Sequence, residues 1–149
     1  MNMFRFTYTK PNRDSGFDNG VVIHEYGHGL SNRLTGGSAT SGCLRTVEAR
    51  GMGEGWGAYA TDSTGGIRSL PYTTDMKVNP LTYSDLKTRD EVHDVGEVWA
   101  SLLWDVYWNL VAKHGFSANL NNAKQSAGNV VAMQNIIGGM MLQPCNPLS

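Results

Sequence analysis

The spacing of apolar positions changes along the chain from two residues to three and four, and with it the expected element. Phe4, Phe6 and Tyr8 alternate with polar residues over 4–9, which predicts a short N-terminal strand. The turn-forming cluster from Pro11 to Gly16 ends it. From Asp18 or Asn19, either of which suits a helix cap, the residues Val21, Val22, His24, Tyr26, His28, Leu30 and Leu34 read as a helix. Gly36 and Gly37 close it. A second helix is expected from about Met52 to Thr64, ended by Gly65 and Gly66. Its glycines at 53, 55 and 57 cost helix stability unless another backbone comes close, and small neighbours suit packing beside the first helix. Pro71 and Pro80 make residues 67–88 a loop. From Asp90 to His114 the positions Val92, Val95, Trp99, Leu102, Leu103, Val106, Leu110 and Val111 recur at helical steps, with Gly115 as cap. Val130, Met133, Ile136, Ile137, Met140 and Met141 predict a fourth helix from about Asn121 to Leu142, stopping before Pro144. The pattern is mainly α.

A chain of 149 residues is the size of one domain. Its 12 basic and 13 acidic residues give a net charge of -1 without a basic stripe, so nothing points to nucleic acid. No apolar run approaches the roughly 20 residues of a membrane span, and the opening Met1 to Arg5 lacks the apolar core of a signal peptide. Cys43 and Cys145 lack the spacing of a zinc knuckle or a redox pair. One long-range disulfide and two unrelated buried thiols both fit. Trp56, Trp99, Trp104, Trp108, Met140 and Met141 read as core. His114, in the last turn of the third helix, complements the helix dipole.

The chemistry lies in His24-Glu25-Tyr26-Gly27-His28. Inside a helix, residues four apart face the same way, so both histidines can close on one zinc ion. A chain with 4 histidines and 5 glutamates would carry such a pentad by chance roughly a few times in a thousand. A catalytic zinc needs a third protein ligand and one open position. The pattern that supplies a third histidine six residues on fails, because Leu34 stands there. A carboxylate from a following helix is the other solution, and Glu54 in Gly53-Glu54-Gly55-Trp56-Gly57 is the candidate. Glu25 is turned by about 100 degrees from its neighbouring ligand, which suits it to activate water beside the metal as general base.

The runs from Val21 to Gly37 and from Gly51 to Trp56 resemble the fungalysin family of secreted zinc metallopeptidases, whose active-site plan is similar to that of thermolysin. The resemblance continues through Pro71 to Met76, Asn79 to Tyr83, Glu91 to His93 and Leu142 to Pro147, nearly the whole chain. It implies the helical C-terminal subdomain of a thermolysin-like zincin, one Zn2+ per chain on His24, His28 and Glu54, and Glu25 as base. It also implies an extracellular location, protein or peptide substrates, and a propeptide as a further partner in the parent protein. His93 alone reads as a capping or surface residue; the resemblance implies that it donates a hydrogen bond to the oxyanion, with Asp90 or Asp94 orienting its ring.

Two departures from the family pattern stand out. Four residues after Glu54 the family usually has an aspartate that supports a ligand histidine, and here Ala58 stands there, with Asp62 one turn further on. The family's catalytic domains also carry an upstream β-rich part and a terminal helix, so residues 1–149 read as a single domain that is a fragment of a longer catalytic domain. The expected function is a zinc endopeptidase; the alternative is a zinc-binding module with little activity of its own.

Overall fold

Four α-helices carry the fold in a computed structural model that describes residues 5–6, 11–14, 16, 19–37, 39–58 and 68–147. They are α1 (Asn19–Leu34), α2 (Val47–Ala58), α3 (Val92–His114) and α4 (Gly128–Leu142). Ahead of them, β1 (Arg5–Phe6) pairs antiparallel with β2 (Arg13–Asp14), Arg5 facing Asp14 and Phe6 facing Arg13. The mainly helical class with a short leading strand is the one the apolar spacing predicts. Phe4, Tyr8 and Asp18 lie outside the described residues. No helix among the described residues is long and apolar enough to cross a membrane.

The third helix is the spine, with α2 packed on its first half, α4 on its second, and α1 laid on α2. Ala49 and Met52 of α2 are buried with Val95, Val98 and Ala100 of α3, and Val130, Ala132, Ile136 and Met140 of α4 complete the core. Glu91 caps α3, its side chain accepting from the backbone N–H groups of His93 and Asp94, and Gly115 ends the helix at a φ of 74°.

The small residues of α2 do make a close crossing, although against α3 rather than α1. A Cβ on Gly96 would stand 2.6 Å from the Glu54 Cβ and 2.8 Å from the Gly51 carbonyl oxygen. One on Gly55 would stand 2.7 Å from the Gly96 carbonyl oxygen. Only glycines allow the two backbones this approach.

Several boundaries differ from expectation for local reasons. Helix α2 starts five residues early because the Thr46 hydroxyl accepts from the Ala49 N–H, a cap the sequence reading passed over. Residues 59–67, including Thr64 and Asp62, lie outside the described residues. The loop expected over 67–88 contains a 3-10 helix at Tyr83–Lys87, closed by a reciprocal box in which Asp85 accepts from the Thr82 N–H. Helix α4 begins at Gly128 rather than near Asn121, since the Asn122 side chain accepts from the Lys124 N–H and competes with helical turns.

Trp108 of α3 and Met141 of α4 are exposed rather than core, at 41% and 62%. Trp108 instead packs edge-on against Trp104 and Tyr107. Cys43 and Cys145 form a disulfide that ties the loop after α1 to the segment after α4. Around it Asn146 donates its backbone N–H to the Cys43 carbonyl, and its side-chain oxygen accepts from the Arg45 N–H.

Candidate metal centre

Helix α1 turns His24 and His28 to one side, as residues four apart must be, and their Nε2 atoms lie 3.1 Å from each other. The backbone behind them is tied down by Ser31 Oγ and Asn32 Nδ2, both donating to the His28 carbonyl. The close crossing of α2 on α3 brings Glu54 over this pair. Its Oε2 stands 3.2 Å from His24 Nε2 and 3.5 Å from His28 Nε2. From the first turn of α3, His93 Nε2 comes to 3.6 Å of the same oxygen, and Arg68 Nη2 to 3.9 Å.

Two properties of this cluster test whether a metal ion fits. Zinc in tetrahedral coordination, with bonds of about 2.0–2.1 Å, holds its donor atoms about 3.3 Å apart. The three donors of His24, His28 and Glu54 are separated by 3.1, 3.2 and 3.5 Å. Glu54 Oε2 is moreover buried with no well-formed hydrogen bond among the described residues, only the nitrogens of His24, His28, His93 and Arg68 standing 3.2 to 3.9 Å away, which leaves it open to a cation. The donor set therefore fits one zinc ion. A carboxylate oxygen of Glu25 lies within 4.8 Å of both histidine nitrogens, beside this set.

The electrostatics point the same way. Burial works against a charge on Glu54, but the facing rings of His24 and His28 outweigh it and hold the carboxyl well below the usual carboxylate range. The Glu54 carboxylate in turn raises His28 above the ordinary histidine value, against burial, with help from Glu25. Two ring nitrogens and one carboxylate oxygen in this arrangement favour a positive charge among them, whether proton or metal ion.

All five residues named from sequence thus meet in one place: His24, Glu25, His28, Glu54 and His93. The ring of His93 is oriented by neither Asp90 nor Asp94; Glu91 Oε1 lies 2.8 Å from its Nδ1 while Oε2 accepts from its backbone N–H. Although burial opposes it, the His93 ring holds the Glu91 carboxyl below its ordinary value. Sequence reasoning missed Glu91 because a helix cap is usually a shorter side chain. It also missed Arg68, which emerges from a loop whose distance to the centre no spacing rule gives. Ala58 ends α2, and Asp62 lies outside the described residues.

The sequence profile described as fungalysin metallopeptidase matches residues 1–60 and 56–149. Extracellular metalloproteinase 2 of Trichophyton rubrum is 44% identical over 173 aligned residues, covering 99% of this chain and 27% of that protein. The protein of the same name from Arthroderma otae is also 44% identical, with the same coverage. Extracellular metalloproteinase 9 of Coccidioides posadasii is 43% identical with the same coverage. The chain thus spans about a quarter of the length of the curated relatives it matches.

Proposed function

This chain belongs to the fungalysin metallopeptidase family, and from that premise we propose that it is the metal-binding part of a secreted zinc endopeptidase acting on extracellular proteins or peptides. The observation that carries the reading is the convergence of His24 Nε2, His28 Nε2 and the buried Glu54 Oε2 within 3.1 to 3.5 Å. These three side chains would hold one Zn2+. When bound, the ion supplies Lewis acidity, polarising a peptide carbonyl and lowering the pKa of water toward about 7.

The chain's own residues do the rest. Glu25, beside the ligand set and left out of it, accepts the proton of the attacking water at its carboxylate and returns it to the leaving amine nitrogen. His93, whose Nδ1 lies 2.8 Å from Glu91 Oε1, turns its Nε2 toward the centre, where it serves as a donor to the developing oxyanion. Arg68, with five donors and one nitrogen 3.9 Å from Glu54, presents the others to a substrate oxygen.

Zinc content and casein hydrolysis of the purified chain, measured beside its Glu25→Gln variant, test the proposal. One zinc per chain with hydrolysis that disappears in the variant supports it. Zinc without hydrolysis favours the binding-module alternative, which Ala58 at the aspartate position also suits. A chain that takes up no zinc rules the ligand assignment out.

A further inference from the structure

Glu97 is the one charged side chain among the described residues that is buried to 1% exposure, and the proposed chemistry makes no use of it. It lies one helical turn beyond His93 on α3, adjacent to Gly96, where an added Cβ would meet Glu54 at the crossing. Its carboxylate grips one segment of chain with both oxygens: Ser69 Oγ donates to Oε2 at 2.7 Å and the Leu70 backbone N–H donates to Oε1 at 2.8 Å. Arg89 Nη1, 3.4 Å from Oε2, balances the charge. A buried carboxylate with both oxygens committed is a rigid anchor, because releasing either contact strands a charge in the interior.

The residue immediately before this anchored pair is Arg68. Its side chain is 13% exposed and its guanidinium faces Glu54. Arginine carries many rotatable bonds, so a fixed backbone at its base limits where its fork can reach. Resting on the metal-centre reading above, we propose that Glu97 is a positioning residue: by gripping Ser69 and Leu70 it sets Arg68 as the anion-binding arm of the centre, for ligands bearing a tetrahedral oxyanion. The arm, the three donor side chains and His93 then surround one space from three helices and a loop.

The test uses the full chain loaded with Co2+, whose visible spectrum reports metal binding, titrated with inorganic phosphate as the anion. Wild type, Arg68→Ala, Glu97→Gln and the double variant form a cycle, and Ser69→Ala repeats it from the loop side should Glu97→Gln fail to fold. Arg68→Ala is expected to weaken phosphate about tenfold, the worth of one charge-assisted hydrogen bond. Glu97→Gln or Ser69→Ala should weaken it by a similar factor with the Co2+ stoichiometry unchanged. The double variant should be no worse than Arg68→Ala alone, because both changes remove the same arm. Additive effects, or phosphate affinity unchanged in both Glu97→Gln and Ser69→Ala, overturn the proposal. So does a Co2+-loaded wild type that binds no phosphate. A wild type that binds no Co2+ fails at the metal centre instead, which separates the two conclusions.

Discussion

Glu25 and Glu54 are both carboxylates within reach of the same two histidines, yet their surroundings differ and suit them to different tasks. Glu54 is carried in from another helix, buried at Oε2 and pressed between imidazoles, which suits a permanent anion. Glu25 shares the helix of the histidines and stands to the side of their shared face, in an open groove with Tyr26 and Asn32. Exchanging Glu25 for Gln should leave zinc stoichiometry at one per chain by atomic absorption while lowering peptide hydrolysis about 10²- to 10⁴-fold, the usual worth of a general base. Exchanging Glu54 for Gln should do the reverse, costing zinc affinity first. Dialysis against a graded chelator would show a weaker metal complex in that variant, and equal retention in the two would refute the division.

Helices α2 and α3 meet through glycine, and that crossing delivers Glu54 to the histidines. An added methyl at Gly96 has the Glu54 Cβ and the Gly51 carbonyl in its way, so Gly96→Ala should destabilise by about 1–3 kcal/mol. It should also displace Glu54 and weaken zinc. Gly29, an exposed glycine of α1 with nothing within 4 Å of its absent Cβ, is the control. There an alanine should stabilise by up to about 1 kcal/mol through helix propensity. Urea midpoints of the two variants should move in opposite directions.

The 3-10 helix at Tyr83–Lys87 carries a pH dependence. The Thr82 N–H and hydroxyl hold the Asp85 carboxyl below the usual aspartate range. A carboxyl depressed in the folded state contributes stability above its unfolded pKa of about 4 and loses it as pH falls through the lower folded value. Asp85→Asn should therefore lower the urea midpoint at pH 7 and match wild type near pH 2. A deficit that persists in acid would mean the side chain acts through shape rather than charge.

Across the whole molecule the loop between α1 and α2 is joined to the segment after α4 by Cys43–Cys145, which bridges a sequence separation of 102 residues. Closing a loop of that size restricts the unfolded chain by about 4–5 kcal/mol in the chain-entropy account. Reduction should lower Tm markedly. The proposed ligand set draws on two helices and is assembled only in the folded chain, so added zinc should raise Tm in both oxidised and reduced forms, in proportion to the logarithm of its excess over Kd. Differential scanning calorimetry with and without chelator reads both effects, and a Tm indifferent to zinc would deny that the centre is formed by folding.

What the sequence determined by itself was whatever depends on near neighbours along the chain. The four-residue spacing of His24 and His28, the place of Glu25 beside them, the α3 periodicity and its Gly115 stop are all local, so helical geometry alone places them. Only the tertiary structure decided which partners those elements met. It put the α2 glycines against Gly96 rather than α1, joined Cys43 to Cys145, chose Glu91 over Asp90 and Asp94 for His93, and brought Arg68 to Glu54. Each of these pairings is fixed by how closely two backbones can approach and which buried charges must be answered, and neither quantity is written in residue spacing.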